Sequence, residues 1–216
     1  MIIVKLQGGL GNQIFQYAFG KALSEMHNVK VKYDTRWLNY EGPKSHRIVR
    51  QFDLDAFDFS VAKANAFDLK NWVNTFPANG NGWQNSRRSL TSQFFKQHQI
   101  IHEPHFNYSE PISVYRDYAY FDGYWQSERY FSPIKERIRK ELQPKIEMNS
   151  ETQELYLEIK SQKTLCVNVR RGDFAHDEQS RNFHGLLGNE YYKSAVLRLL
   201  EKTKSVSYTH LTLPTI

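Results

Sequence analysis

The chain reads as an α/β protein built from βα units around parallel strands, and two stretches predict it. At the start, Met1-Ile2-Ile3-Val4-Lys5-Leu6 is an apolar strand, Gln7-Gly8-Gly9-Leu10-Gly11 is a turn, and Asn12 opens an amphipathic helix. Strand, glycine loop and helix in that order put the helix start where a parallel sheet meets its ligands. Further on, residues 164–169 form a short apolar run that leads straight into Arg170-Arg171-Gly172-Asp173, so the arginines emerge at the carboxyl end of a buried parallel strand.

Taken in order, Ile14, Phe15, Ala18, Phe19, Ala22, Leu23 and Met26 keep helical spacing over residues 12–26, and Asn12 is suited to be the N-cap. A strand over residues 29–33 ends at Asp34 and completes a βαβ opening. From 36 to 111 the pattern loosens, with a phenylalanine- and aspartate-rich stretch at 52–59, a helix around 61–73 and a turn at Asn79-Gly80-Asn81-Gly82. Residues 117–124 alternate aromatics as a strand that Gly123 breaks; Ser132 and Pro133 then start a helix to Leu142. The stretch 143–149, with Pro144, reads as a domain connection, and Ser150-Glu151-Thr152-Gln153 as the capping box of a helix ending near Ser161. The strand at 164 and a helix over 189–202 make the first βα unit of a second domain.

In 216 residues, 40% hydrophobic and 14% aromatic content is ample for a core, and most of the aromatics belong there. The net charge of +6 suits an anionic partner. Nucleic acid is set aside because the basic pairs Arg87-Arg88 and Arg170-Arg171 are far apart and no lysine-rich tail or nucleic-acid motif accompanies them. The single cysteine, Cys166, forms no internal disulfide and reads as a packed thiol in a reducing compartment. The start lacks the basic and apolar regions of a signal peptide, and no run reaches the roughly eighteen apolar residues of a membrane span, which points to a cytosolic enzyme.

Arginine at a strand end suits phosphate, because its planar fork makes paired, charge-assisted bonds and neutralises a diphosphate without a metal. A solvated Arg-Asp turn is the bland alternative. A helix start after glycines is likewise an anion site, or only a turn whose glycines relieve strain. Asp34 after the second strand fits a ribose-binding acid, which keeps a nicotinamide-dependent oxidoreductase in view. Against it, Ile14 stands where the third glycine of that fingerprint belongs. Asp53-Leu54-Asp55 has the form of a metal-nucleotide DxD triplet but reads as a loop or helix edge. His46, His98, His102 and His105 show no zinc-ligand spacing and read as surface or satisfied polar groups.

Gly8-Gly9-Leu10-Gly11-Asn12-Gln13-Ile14-Phe15-Gln16-Tyr17-Ala18, Gly123-Tyr124-Trp125-Gln126-Ser127-Glu128-Arg129-Tyr130-Phe131, Val169-Arg170-Arg171-Gly172-Asp173-Phe174, and His184-Gly185 with Glu190-Tyr191-Tyr192 resemble glycosyltransferase family 11, the bacterial α-1,2-fucosyltransferases. The likeness runs from residue 1 to about Ser205, with several motifs in order. It implies a GT-B-like fold: a Rossmann-type acceptor-side domain over 1–143, then over 144–205 the connection and start of the GDP-fucose-binding domain. It also implies GDP-L-fucose as donor, transfer with inversion to the 2-hydroxyl of a β-galactoside in glycan or O-antigen synthesis, and no essential metal or cofactor. The acceptor would be a galactoside-terminated glycan or lipid-linked oligosaccharide, met in the cytoplasm or by peripheral contact at the inner membrane.

Within the resemblance, Gly9, Gly11, Asn12, Arg170, Arg171 and His184 bind the donor. Arg170 meets the charge that builds on the leaving phosphate, and Arg171 supports the loop by pairing with Asp173. Asp173 is the second catalytic residue; the general base stays open among Asp173, Asp177 and Glu178. The family usually has histidine where this chain has Asn168. Residues 206–216 carry no acidic or basic side chain and do not continue the pattern; they resemble translated adapter DNA and read as a non-native tail. On that reading the enzyme is cut off early in its donor domain, and an inactive nucleotide-sugar-binding fragment is the non-enzyme alternative.

Overall fold

The computed structural model describes residues 1–38, 49–70, 72, 99–105, 107–109, 118–145, 147–169, 181–182, 185–203 and 207–211. Every residue of β1 (Ile2–Lys5) is buried, as expected of a strand covered on both faces. It pairs in parallel with β2 (Val31–Asp34) on one side and β4 (Ala119–Asp122) on the other, and β3 (Gln99–His102) pairs in parallel with β4. The order is β2-β1-β4-β3. The period of two then divides the core: Ile2, Val4, Leu6, Ala119 and Phe121 share one apolar cluster, while Ile3 and Tyr120 pack on the other face with Leu69 and Trp72.

The connection from β1 to β2 is α1 (Leu10–His27), whose Tyr17, Ala18, Phe19, Ala22 and Leu23 are buried. The helix begins two residues before the expected Asn12. Its N-cap is Gly9, in extended conformation with no side-chain cap, and the Gly9 carbonyl accepts from the Gln13 N–H at 3.1 Å. Met26, expected on the apolar face, is 44% exposed. The helix ends on Asn28 in the left-handed region, φ 52°. Midway, Gly20 lets α1 approach β2 closely: a Cβ there would lie 2.6 Å from Tyr33 Oη and 2.8 Å from its ring, and that hydroxyl donates to the Tyr17 carbonyl at 2.9 Å.

Elsewhere in this first unit (Met1–Ile146), the expected 61–73 helix contracts to α2 (Ala66–Leu69), started by a capping box between Asn65 and Asp68. Leu54–Ala56 is a 3₁₀ turn. β3 falls in a stretch where no strand was expected, since Gln99 and His102 leave only Ile100 and Ile101 as apolar signal. Pro133 opens a 3₁₀ turn (Ser132–Ile134) that continues into α3 (Lys135–Glu141). Glu141 ties α3 to α1: Tyr17 Oη donates to it at 2.8 Å, and Lys21 and Arg137 lie at 3.3 and 3.1 Å.

The second unit (Glu147–Ile216) holds α4 (Ser150–Ser161), β5 (Thr164–Asn168), α5 (Asn189–Thr203) and β6 (Ser207–Leu211). The cap of α4 is Asn149, which accepts from the Thr152 N–H at 2.8 Å, one residue before the expected Ser150. β5 pairs in parallel with β6, so five residues of the stretch set aside as a tail stand in a strand register with Thr164–Asn168. Cys166, expected to be packed, is exposed.

Because Gly20 faces the buried Tyr33 ring, Gly20→Ala gains up to about 1 kcal/mol of helix propensity but overpacks the α1–β2 contact, at a cost of roughly 1–3 kcal/mol. The expected net result is a lower urea midpoint with an unchanged slope, read by chemical denaturation.

Candidate active site

Gly8 sits at φ +78°, a conformation other residues rarely adopt, and a Cβ there would run into the Asn12 side chain. A Cβ on Gly9 would lie 3.7 Å from the Arg50 guanidinium, while Gly11 faces open space. No acidic side chain stands in the first turn of α1, so the positive end of an eighteen-residue helix is offset by none of its own residues. The loop thus brings a helix N-terminus, an arginine and an amide side chain to one edge of the sheet.

Two fully buried glutamines hold that loop in place. Gln13 donates from Nε2 to the Gly8 carbonyl (3.0 Å) and the Gln51 carbonyl (2.8 Å), and its Oε1 accepts from the Asp53 N–H (3.0 Å). Gln16 accepts from the Gln7 N–H (2.9 Å) and donates to the Gly123 carbonyl (3.0 Å). Gln16 therefore joins the loop after β1 to the loop after β4. Across the same junction, Gln126 Nε2 donates to Asn12 Oδ1. Adjacent loops at the carboxyl ends of parallel strands are where open α/β sheets take ligands.

The last residues of the four strands, in spatial order, are Asp34, Lys5, Asp122 and His102. Lys5, 5% exposed, donates to Asp122 Oδ1 at 2.9 Å and lies 3.9 Å from the centre of the Trp37 ring. Its charge is buried but paired. His102 lies 3.6 Å from Asp122 and is well exposed, and His105 contacts the Asn107 carbonyl at 3.0 Å, in keeping with surface polar roles. His46 and His98 lie outside the described residues.

Asp34 is not available to a ribose. It is fully buried, and its two oxygens accept from the Arg36 N–H, the Arg36 guanidinium (2.7–3.1 Å) and Tyr120 Oη (2.7 Å). Burial would lower the Arg36 pKa, but the hydrogen bond and charge of Asp34 outweigh it and raise it instead. The oxidoreductase reading loses its anchor here. The Asp53-Leu54-Asp55 triplet is structural in form: Leu54 is fully buried and Asp53 is bonded to Gln13. Among the described residues, no three His, Cys, Asp or Glu side chains are grouped to hold a metal.

Of the residues singled out from the sequence, Gly9, Gly11 and Asn12 are brought together at the head of α1, and β5 ends at Asn168. Arg170, Arg171, Asp173, Asp177, Glu178 and His184 lie outside the described residues. The residues that sequence reasoning passed over are Gln13, Gln16 and Glu103. The two glutamines interrupt the apolar face of α1 at a spacing of three, a signal of buried amides. Glu103 carried none.

A family model described as Glycosyl transferase family 11 matches residues 1–210. The chain belongs to glycosyl transferase family 11. It is 30% identical over 217 residues to an "Alpha-1,2-colitosyltransferase" of Escherichia coli, an alignment that spans 96% of this chain and 67% of that protein. No solved structure matches it significantly. In this family 11 glycosyltransferase, the glycine loop and the 123–131 motif, far apart in sequence, meet through Gln16 and Gln126. A glycosyltransferase uses a nucleotide-sugar donor and a glycan acceptor.

Replacing Gln16 with leucine keeps the volume but leaves the Gln7 N–H and the Gly123 carbonyl unpaired. At roughly 1–3 kcal/mol for each of these two buried orphans, Gln16→Leu is expected to lower stability by about 2–6 kcal/mol, measured as a fall in the urea midpoint.

Proposed function

We propose that the chain transfers L-fucose from GDP-L-fucose to the 2-hydroxyl of a β-galactoside, with inversion and without a metal, in the synthesis of a surface glycan. The observation that carries it is the junction of the glycine loop with the loop after β4. A helix N-terminus and Arg50 there suit a diphosphate, and the amides of Asn12 and Gln126 suit sugar hydroxyls. The relative's name supports α-1,2 transfer of a sugar, and names colitose in place of fucose. Colitose is therefore the second donor to test. The acceptor is a galactoside-terminated glycan or lipid-linked oligosaccharide, met in the cytoplasm or at the inner membrane; no helix among the described residues is long and apolar enough to cross a membrane.

In the chemistry that follows from this reading, the acceptor hydroxyl attacks the anomeric carbon, its proton passes to a base, and the glycosyl–phosphate bond breaks to release GDP. Negative charge grows on the leaving phosphate, and stabilisation that increases with that charge is what lowers the barrier. Gly9, Gly11 and Asn12 hold the donor, with Arg171 and His184 as further donor contacts. Arg170 meets the growing charge, and Asp173, Asp177 and Glu178 are the candidates to take the proton.

The reading is tested by incubating the chain with a β-galactoside and either GDP-L-fucose or nucleotide-activated colitose, and identifying the product by mass spectrometry and NMR. Transfer is expected to persist in EDTA and in Asp53→Ala. Arg170→Lys keeps the charge but loses the fork, so kcat/KM is expected to fall about ten- to hundredfold, and Arg171→Lys less. Calorimetric binding of NAD with none of GDP or GDP-fucose overturns the proposal.

A further inference from the structure

Costs that a fold normally avoids collect at Trp125. Its backbone lies at φ +54°, a strained region for a bulky side chain, and its buried indole Nε1 has no hydrogen-bond partner among the described residues. The ring itself is 1% exposed and stacks on Phe19 at 4.3 Å, with Tyr130 edge-on at 5.6 Å. Stacking explains why the ring stays in the core, but it does not require the backbone to turn left-handed. Strain of this kind persists only where neighbours impose it.

The neighbour is Glu103, the first residue after β3. One carboxylate oxygen accepts from the Tyr124 N–H at 2.7 Å and the other from the Trp125 N–H at 3.0 Å. The Glu103 N–H donates to the Asp122 carbonyl at 3.0 Å, which continues the β3–β4 ladder and fixes the carboxylate's origin. Gly123 makes room for it: a Cβ there would lie 2.5 Å from Glu103 Cβ and 2.9 Å from Oε2. A carboxylate gripping two successive N–H groups holds the chain in the turn that next presents Gln126, and Gln126 donates to Asn12 at the head of α1.

We propose that Glu103 is a positioning residue for sugar transfer: it clamps the strained Tyr124–Trp125 backbone so that Gln126 and Asn12 stand together at the glycine loop. This inference rests on the transferase reading above. Glu103 touches neither substrate nor reacting atoms and acts only through the loop it grips.

The experiment uses the full chain and two readouts. Hydrogen exchange at the Tyr124 and Trp125 amides reports the clamp whether or not the protein is active. In Glu103→Gln, which has one acceptor oxygen in place of two, exchange there is expected to rise roughly ten- to hundredfold while amides of β1 keep their protection. Transfer from GDP-L-fucose or nucleotide-activated colitose is expected to fall at least tenfold in kcat/KM. Gln126→Ala, at an exposed position that the fold tolerates, is expected to reduce kcat/KM similarly with exchange at 124–125 unchanged. The double variant should then be no worse than the poorer single variant.

Unchanged exchange in Glu103→Gln overturns the clamp. Raised exchange with unchanged kcat/KM, or losses that multiply in the double variant, overturns the positioning role. If Glu103→Gln does not fold, Gly123→Ala displaces the same carboxylate and is judged by the same readouts. Absence of transfer by the wild-type chain from either donor overturns the transferase reading, and exchange alone then decides the clamp.

Discussion

The structure at the carboxyl edge of the first sheet depends on one unusual constraint: two amide side chains, Gln13 and Gln16, are completely buried on the face of a helix that otherwise packs aromatics. A buried amide is tolerated only where its donors and acceptor find partners. Here the partners are backbone groups of loops that have no ladder of their own: Gln7, Gly8, Gln51, Asp53 and Gly123. The helix therefore serves as a template on which three separate loops are set. Apolar residues at 13 and 16 would pack as well but would leave those loops with unpaired groups and no fixed path. The core below, in which Phe19, Phe121, Trp125 and Tyr130 meet ring against ring, gives the template its rigidity.

Charge at the same edge is arranged so that little of it is left uncompensated. Asp34 is enclosed by Arg36 and Tyr120, Lys5 by Asp122, and Glu103 by two backbone N–H groups. Each pairing is inside or half inside the protein, where an unpaired ion would cost several kcal/mol. Two of them also tie strands together: Lys5 and Asp122 join the ends of neighbouring β1 and β4, and Tyr120 on β4 reaches past β1 to Asp34 at the end of β2. These side-chain contacts brace the carboxyl end of the sheet beside its last ladder bonds, from the Leu6 N–H to the Asp34 carbonyl and from the Glu103 N–H to the Asp122 carbonyl.

Much of this fold was legible in the sequence because its signals are strong and local. Four consecutive buried positions in β1, the glycines at 8, 9 and 11, and the aromatic alternation before Gly123 gave strand, loop and strand close to where they lie. The errors have particular causes. Asn12 is a good N-cap by type, but its side chain is directed to Gln126, a partner more than a hundred residues away that no window can see, and Gly9 takes the cap instead. Asn149 took the cap of α4 because it competes on equal terms with Ser150. β3 is nearly silent, since an edge strand with Gln99 and His102 at its ends shows two apolar residues only. The stretch set aside as a tail for its lack of charged side chains includes Tyr208, Thr209 and Leu211, residues of good strand propensity, and it pairs with β5 as β6. Of the site, the glycine loop was legible by its own spacing. Glu103 was not, because its role depends on the register of β3 against β4.

The same pairing of charges bears on what the edge can recognise. With Asp34, Lys5, Asp122 and Glu103 engaged inside the fold, the polar groups presented toward the glycine loop are neutral amides, Asn12 and Gln126, together with the N–H groups of the first turn of α1 and the guanidinium near Gly9. Amides can both donate to and accept from hydroxyl groups, which matches the alternating chemistry of a sugar ring. A helix start and an arginine select for an anion and against a cation. An edge of this composition favours a ligand that is an uncharged polyol at one end and a phosphate ester at the other. A nucleotide sugar has that form, and so the physical character of this edge supports the same class of donor that the family membership requires.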